Sequence, residues 1–269
     1  MRIKLAALML AVLTLASCAC CAKRRMPEPE TEFDTIADYA SWAENEGYRD
    51  GALTDDGFLG LSQDRFATLP GQPGYDSGRI VIGDSRCCQL GMYQLRAHAD
   101  DFAVFAVWGG HYTDREPRIP ADGFFKAVEE CFRAQIASKG RCEIFFFATV
   151  NDYDHVGNDN SGNIAAALRC AEALSQMSCE RSGRTVRPSM TVIGIEGGTL
   201  SRYIPEDFNA FVGSYNEALE SAAAQSRGFA CVPRLTSVPE ITNHSTGFID
   251  DGLHYNDATL KALAEFITE

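Results

Sequence analysis

Three side chains of this sequence have the types and the chain order that nucleophilic acyl transfer needs. Ser85 closes the triplet Gly83-Asp84-Ser85 at the end of an apolar run, and Asp251 and His254 stand together in Asp251-Gly252-Leu253-His254. A serine hydroxyl is a weak nucleophile until a base takes its proton. His254 is the candidate base, and Asp251 the candidate carboxylate that would accept the second ring N–H, fix the tautomer and stabilise the imidazolium. Attack on a carbonyl places negative charge on oxygen, so donors must converge there too. The candidates are the backbone N–H of Ser85, the backbone N–H of Gly110 and the side-chain amide of Asn151. Each such donor lowers a barrier by about 2.7–4 kcal/mol.

The elements that must position these groups are readable from residue 79 onward. Short apolar runs at 79–83, 102–108, 143–149, 190–195 and 229–232 alternate with longer amphipathic stretches at 88–98, 122–138, 162–179, 206–226 and 256–267. The runs are continuously apolar, as strands covered on both faces should be. Asn256 or Asp257 supplies an N-cap for the last helix. Five strands alternating with helices predict a parallel sheet in a three-layer α/β/α sandwich. Ligands of such sheets bind beyond the carboxyl ends of the strands. Ser85 follows the first run, Gly109-Gly110 the second, Asn151-Asp152 the third, and Asp251 and His254 precede the last helix. Every polar candidate therefore falls on one rim.

In this order the residues resemble the SGNH (GDSL-type) hydrolase superfamily. Gly83-Asp84-Ser85 is similar to its first block, with Arg86 where many members carry leucine. A glycine after the second strand, Asn151-Asp152, and Asp251-Gly252-Leu253-His254 are similar to the second, third and fifth blocks. The second-block glycine is Gly109 or Gly110; Gly110 is preferred because the polar His111 follows it. The resemblance covers roughly residues 79–269. It implies a flavodoxin-like five-stranded parallel sheet, a Ser85–His254–Asp251 triad, an oxyanion hole from Ser85, Gly110 and Asn151, and no metal or organic cofactor. One position departs from the pattern: Thr149 replaces the third-block glycine, where a side chain would narrow the site or shift the loop carrying Asn151.

Other readings of the same residues are weaker. Cys87 stands where the G-x-S-x-G elbow needs its second glycine. The stretch from Asp152 to Gly157 fails as a calcium loop at Val156 and Asn163. Arg86 would reach an anionic substrate group or pair with an acidic side chain, and the pairing is favoured. His111 and His155, and less so His244, are candidates to line a cleft, and His98 for a helix end.

The amino terminus reads as an export signal. Arg2 and Lys4 precede an apolar stretch from Leu5 to Ala16 that is shorter than the roughly 20 residues of a membrane span. Leu15-Ala16-Ser17-Cys18 resembles a bacterial lipobox, which implies cleavage after residue 17 and lipidation of Cys18. An ordinary signal peptide cut near Ala19 or Ala22 is the alternative. Residues 18–32 read as a linker and 33–78 as an extension packing on the main domain at 79–269, with loop over 47–78. The formal charge of −13 argues against a nucleic-acid partner. Apart from Cys18, Cys20 and Cys21 at the leader junction, seven of the ten cysteines remain, Cys87, Cys88, Cys131, Cys142, Cys170, Cys179 and Cys231, an odd number with no Cys-x-x-Cys spacing among them, and no specific disulfide is predicted.

Together these features predict a lipid-anchored serine esterase of the cell envelope, facing outward or secreted. Its substrate would be a small acyl ester, above all an acetylated carbohydrate. An acyltransferase using the same triad, or a non-catalytic glycan-binding or partner-docking lipoprotein, are the alternatives; a two-lobed solute-binding protein fits the leader but not the single domain.

Overall fold

Apolar runs of three to five residues with no polar side are stable only inside a sheet covered above and below. The computed structural model describes residues 65–108, 110, 112, 123–153, 161–195, 207–225, 228–232 and 253–269, and places the runs in such a sheet. In chain order the elements are β1 (Arg65–Ala67), β2 (Arg79–Gly83), α1 (Ser85–Arg96), β3 (Ala103–Val107), α2 (Phe124–Lys139), β4 (Glu143–Phe147), α3 (Ser161–Ser175), β5 (Cys179–Arg181), β6 (Arg184–Val186), β7 (Ser189–Ile193), α4 (Phe208–Gln225), β8 (Ala230–Val232) and α5 (Asp257–Thr268). The main sheet runs β1-β3-β2-β4-β7-β8. Its last five strands are mutually parallel. Counting those five alone, the order is 2-1-3-4-5, the flavodoxin-like arrangement, with its topological switch point between β2 and β4.

Alternation along each strand assigns the helices to layers. Ile80, Ile82, Phe105, Ile144, Phe146 and Val192 pack in one cluster with apolar residues of α2, α3 and α4. Val81, Val104, Phe145, Phe147 and Ile193 pack in another with Leu90 and Tyr93 of α1 and with Leu260, Leu263 and Ile267 of α5. The result is an α/β/α sandwich with α1 and α5 on one face. Burying Leu260, Leu263 and Ile267 fixes α5 to the sheet, each side chain contributing about 1.5–3 kcal/mol. Asn256 is the N-cap of α5, its Oδ1 accepting the Thr259 N–H at 3.0 Å.

Three details differ from expectation. The region read as loop over 47–78 contains β1, which pairs antiparallel with β3, Phe66 opposite Ala106, so the sheet has six strands, five of them parallel. Three residues are too short a stretch to show a period, and β1 is held by Phe66 packing over α1. The helix expected to reach residue 179 stops at Ser175, and β5 and β6 form a hairpin turned at Ser182 (φ 53°) and Gly183 (φ 73°). Positive φ at both turn residues matches the twist of a two-residue hairpin. Finally, α1 begins at Ser85, not at Cys88, because Asp84 caps it. The leader at 1–17, the linker at 18–32 and residues 33–64 of the extension lie outside the described residues, and Cys18 with them. Among the described residues, no helix is long and apolar enough to cross a membrane.

Candidate active site

The turn that carries Ser85 is set by a glycine and a cap. A Cβ on Gly83 would stand 2.9 Å from the Phe147 Cβ and collide with Cys87, so only glycine lets α1 start this close above β4. Asp84 is extended, and its Oδ1 accepts the Arg86 N–H at 3.1 Å. Ser85 is thus the first residue of α1. The N–H groups of a first turn have no intrahelical acceptor and lie at the positive end of the helix dipole. Ser85 therefore presents a hydroxyl at an electropositive helix end beside the switch point.

The candidate base comes from the other end of the chain. His254 Nε2 lies 2.7 Å from Ser85 Oγ, and both side chains are buried. With the ring proton on Nδ1, the hydroxyl donates and Nε2 accepts. Helix α1 itself holds the turn that carries His254. Gln89 Oε1 accepts the Tyr255 N–H at 3.2 Å, and Gln89 Nε2 donates to the Tyr255 carbonyl at 3.4 Å. Arg96 forms a two-pronged pair with Asp257 at 2.8 and 2.9 Å, joining α1 to the start of α5. Trp108, directly after β3, lies over the imidazole with ring centroids 5.0 Å apart and planes 14° from parallel. Asp251, Gly109, His111, His155 and His244 lie outside the described residues.

Gly110 and Asn151 come together as expected, but their hydrogen bonds are made with each other and with the protein. The Gly110 N–H donates to Val107 O at 2.9 Å. Its carbonyl accepts from Asn151 Nδ2 at 2.9 Å and from Thr149 Oγ1 at 2.6 Å. Asn151 Nδ2 also donates to Thr149 Oγ1 at 3.1 Å. The amide orientation follows from these partners, since exchanging its N and O would set oxygen against the Gly110 oxygen. Thr149 thus does more than occupy the place of a glycine. Its Oγ1 also accepts the Asn151 backbone N–H at 3.1 Å and starts the single turn at Val150–Asp152.

Beneath these loops lies a buried ion pair. Asp84 and Arg86 are both inaccessible to solvent, with Arg86 Nε and Nη2 each 3.2 Å from an Asp84 oxygen. Asp84 also accepts from the Val150 N–H at 3.2 Å and lies 3.0 Å from Thr149 Oγ1, whose single proton is shared with the Gly110 carbonyl. Arg86 donates further to the Ala148 carbonyl at 3.0 Å and to the Tyr255 hydroxyl at 3.3 Å. One guanidinium therefore touches the nucleophile turn, the segment leading to Asn151 and the residue after His254. Burial acts to raise the Asp84 pKa, but the Arg86 charge, the Arg86 hydrogen bonds and the Val150 N–H outweigh it and hold the carboxyl below its ordinary range. Asp152 faces the other way: its carboxylate accepts from the Tyr112 N–H at 2.9 Å and the Tyr215 hydroxyl at 2.8 Å. Burial nonetheless pushes its pKa up to about 7.

Sequence reasoning missed the roles of Trp108, Gln89 and Thr149. Trp108 had a signal, as the aromatic last residue of the run at 102–108. Gln89 had one as well, four residues after Ser85 on a helix whose neighbouring positions are apolar. Cys87, Cys88, Cys131, Cys142, Cys170 and Cys179 are free thiols. Among the described residues, no group of three or more His, Cys, Asp or Glu side chains is placed to hold a metal ion.

No protein-family model matches this chain, and no curated protein matches it in sequence. Solved structures similar to it include a provisionally assigned platelet activating factor from Streptococcus pneumonia, at 14% identity over 87% of this chain and 100% of that one, with a TM-score of 0.47. A provisionally assigned arylesterase from Agrobacterium tumefaciens str. C58 is similar at 12% identity over 71% of this chain and 96% of that one, TM-score 0.43. A carbohydrate acetylesterase family member from Sinorhizobium meliloti is similar at 11% identity over 71% and 95% of the two chains, TM-score 0.43. The fold assignment itself rests on the strand order and the layers described above.

Proposed function

We propose that this protein is an SGNH-type serine esterase that hydrolyses small acyl esters, acetyl esters above all. The observation that carries the reading is the 2.7 Å approach of Ser85 Oγ to His254 Nε2 at the switch point of the sheet. In the first step Ser85 Oγ forms a bond to the ester carbonyl carbon while its proton passes to Nε2. The tetrahedral intermediate collapses, the C–O bond to the alcohol breaks, and Nε2 returns the proton to the leaving oxygen. Water, deprotonated by His254, then attacks the acyl-serine and frees the acid. Asp251 is assigned to the Nδ1 side of the ring.

The Ser85 N–H, at the open end of α1, is the first oxyanion donor. The Asn151 amide and the Gly110 N–H serve as the second and third by exchanging Thr149 Oγ1 and Val107 O for the oxyanion. The leader sequence supports lipidation at Cys18 and a place in the cell envelope, where acetylated carbohydrate is the accessible substrate class. A second reading, a non-catalytic glycan-binding protein on the same fold, is favoured by one observation: both protons of the Asn151 amide already have acceptors.

The discriminating experiment treats the full chain, in detergent, with a fluorophosphonate probe and with p-nitrophenyl acetate. The esterase reading expects labelling that Ser85→Ala abolishes, together with turnover lost in the same variant. A folded wild-type protein that neither takes the probe nor cleaves the ester overturns it in favour of binding.

A further inference from the structure

A single hydrogen bond from an imidazole to a carboxylate fixes the direction of one ring N–H, but leaves the ring free to rotate about that bond. A general base must also keep its other nitrogen aimed at the nucleophile. Something has to define the plane of the ring. In this protein a second aromatic ring lies parallel to it.

Trp108 directly follows β3, so its backbone is anchored by a strand that pairs with β2, the strand leading to Ser85. Its half-buried side chain packs against the cluster that contains Tyr255, Leu260 and Leu263, the residues that seat His254 and α5. The indole is therefore packed against the apolar cluster on the α1 and α5 face of the sheet, on a backbone fixed by the end of β3. Its face covers the imidazole at a 5.0 Å centroid distance, with the two planes within 14° of each other. An indole in this position also remains an attractive neighbour when the ring takes up a proton, because a cation over the face of tryptophan is favourable. The same plate thus serves the neutral and the protonated base.

We propose that Trp108 is a positioning residue for His254, setting the imidazole plane so that Nε2 stays aimed at Ser85 Oγ. The proposal rests on the esterase reading for its catalytic consequence, but the stacking on which it depends is measurable without turnover. A displacement of about 1 Å in a catalytic group costs on the order of 100-fold in rate. Replacing the indole by a flexible aliphatic side chain is expected to approach that loss.

The test uses the full-length protein and the variants Trp108→Leu and Trp108→Phe, with p-nitrophenyl acetate as substrate. Trp108→Leu is expected to lower kcat by about 10- to 100-fold with KM changed less than threefold, and Trp108→Phe, which keeps a flat ring, to recover most of the loss. The independent readout is NMR of histidine labelled in its ring. The chain has five histidines, and His254→Gln identifies the resonance of interest. In the wild-type protein the His254 ring protons should be shifted upfield by the indole ring current. The shift should vanish in Trp108→Leu and partly persist in Trp108→Phe, while the other four histidine signals stay in place and report an intact fold. An unshifted His254 signal in the wild type overturns the stacking. A shifted signal with kcat unchanged in Trp108→Leu, or with the loss carried by KM, overturns the positioning role and makes Trp108 a wall of the substrate site. If no variant, wild type included, turns over ester, the NMR result still decides the stacking, and it is the esterase reading that fails.

Discussion

Replacing Arg86 by methionine probes the ion pair beneath the loops of the candidate site. The variant keeps a long apolar stem of similar volume and removes the guanidinium with its contacts to Asp84, Ala148 O and the Tyr255 hydroxyl. Removing one partner of a buried pair costs about 3–5 kcal/mol, because the other charge is left without compensation. Here the carboxylate keeps three donors, the residue-86 backbone N–H, Thr149 Oγ1 and the Val150 N–H. The loss is therefore expected near the lower end, about 3 kcal/mol by urea unfolding at pH 7, or about 6–12 °C in Tm for a domain of this size. Adding Asp84→Asn removes the stranded charge and retains a good N-cap, so the double variant should be more stable than Arg86→Met alone. The pH dependence has a definite sign. In the wild type the depressed Asp84 pKa contributes stability above the ordinary carboxylate range, and this is lost as pH falls through the folded value. Without Arg86, burial dominates and favours the protonated acid, so the deficit of Arg86→Met should narrow from pH 7 to pH 4. An Arg86→Met protein within 1 kcal/mol of wild type, or a double variant no better than the single one, would refute the reasoning.

Two further perturbations test neighbouring parts of the fold. Burial holds the Asp152 pKa near 7, above its ordinary 3.8, so its contribution to stability is complete below about pH 4 and is lost as pH rises through 7. Relative to Asp152→Asn, the wild type should lose on the order of 4 kcal/mol of unfolding free energy between pH 4 and pH 8; a pH-independent difference in urea titrations would show that burial does not govern this carboxyl. Gly91→Ala should gain about 1 kcal/mol of helix propensity in α1 but places a Cβ 2.7 Å from the Phe66 ring, and overpacking of that kind costs about 1–3 kcal/mol. A net loss in thermal unfolding that Phe66→Ala relieves is expected, whereas a stabilised Gly91→Ala would mean that β1 does not cover this face of α1.

What the chain revealed before folding, and what it did not, follows from the range of the interactions involved. The five parallel strands and five helices were readable because burial on two faces leaves long unbroken apolar runs, and because strand and helix periods differ. β1 escaped because three residues carry no period and their pairing depends on Phe66 finding α1. The hairpin at 179–186 was absorbed into the preceding helix, although Ser182-Gly183 is a turn signal. Ser85 and His254 were readable as a pair because their residue types and order restrict the chemistry. The direction of the donors was not. Gly110 and Asn151 lie in the expected loops, yet which way an N–H points depends on Thr149, Val107 and Asp84, through contacts that include Thr149 to Gly110, 39 residues apart, and Thr149 to Asp84, 65 apart. Trp108 was visible only as an apolar residue, because stacking is a property of two rings and not of one. Asp251 lies outside the described residues.

The contact between Ser85 and His254 spans 169 positions of the chain. Closing so long a loop is entropically costly and is favourable only once the intervening sheet has formed. During synthesis, the serine emerges long before its partner and stays an ordinary alcohol while four more strands of the main sheet, the β5–β6 hairpin and their connections are added. The Ser85–His254 contact can form only once the turn before the final helix is in place. If the proposed esterase reading holds, a protein built in this order carries no reactive hydroxyl while it is still being made, and a chain truncated before residue 254 would lack the partner that Ser85 needs.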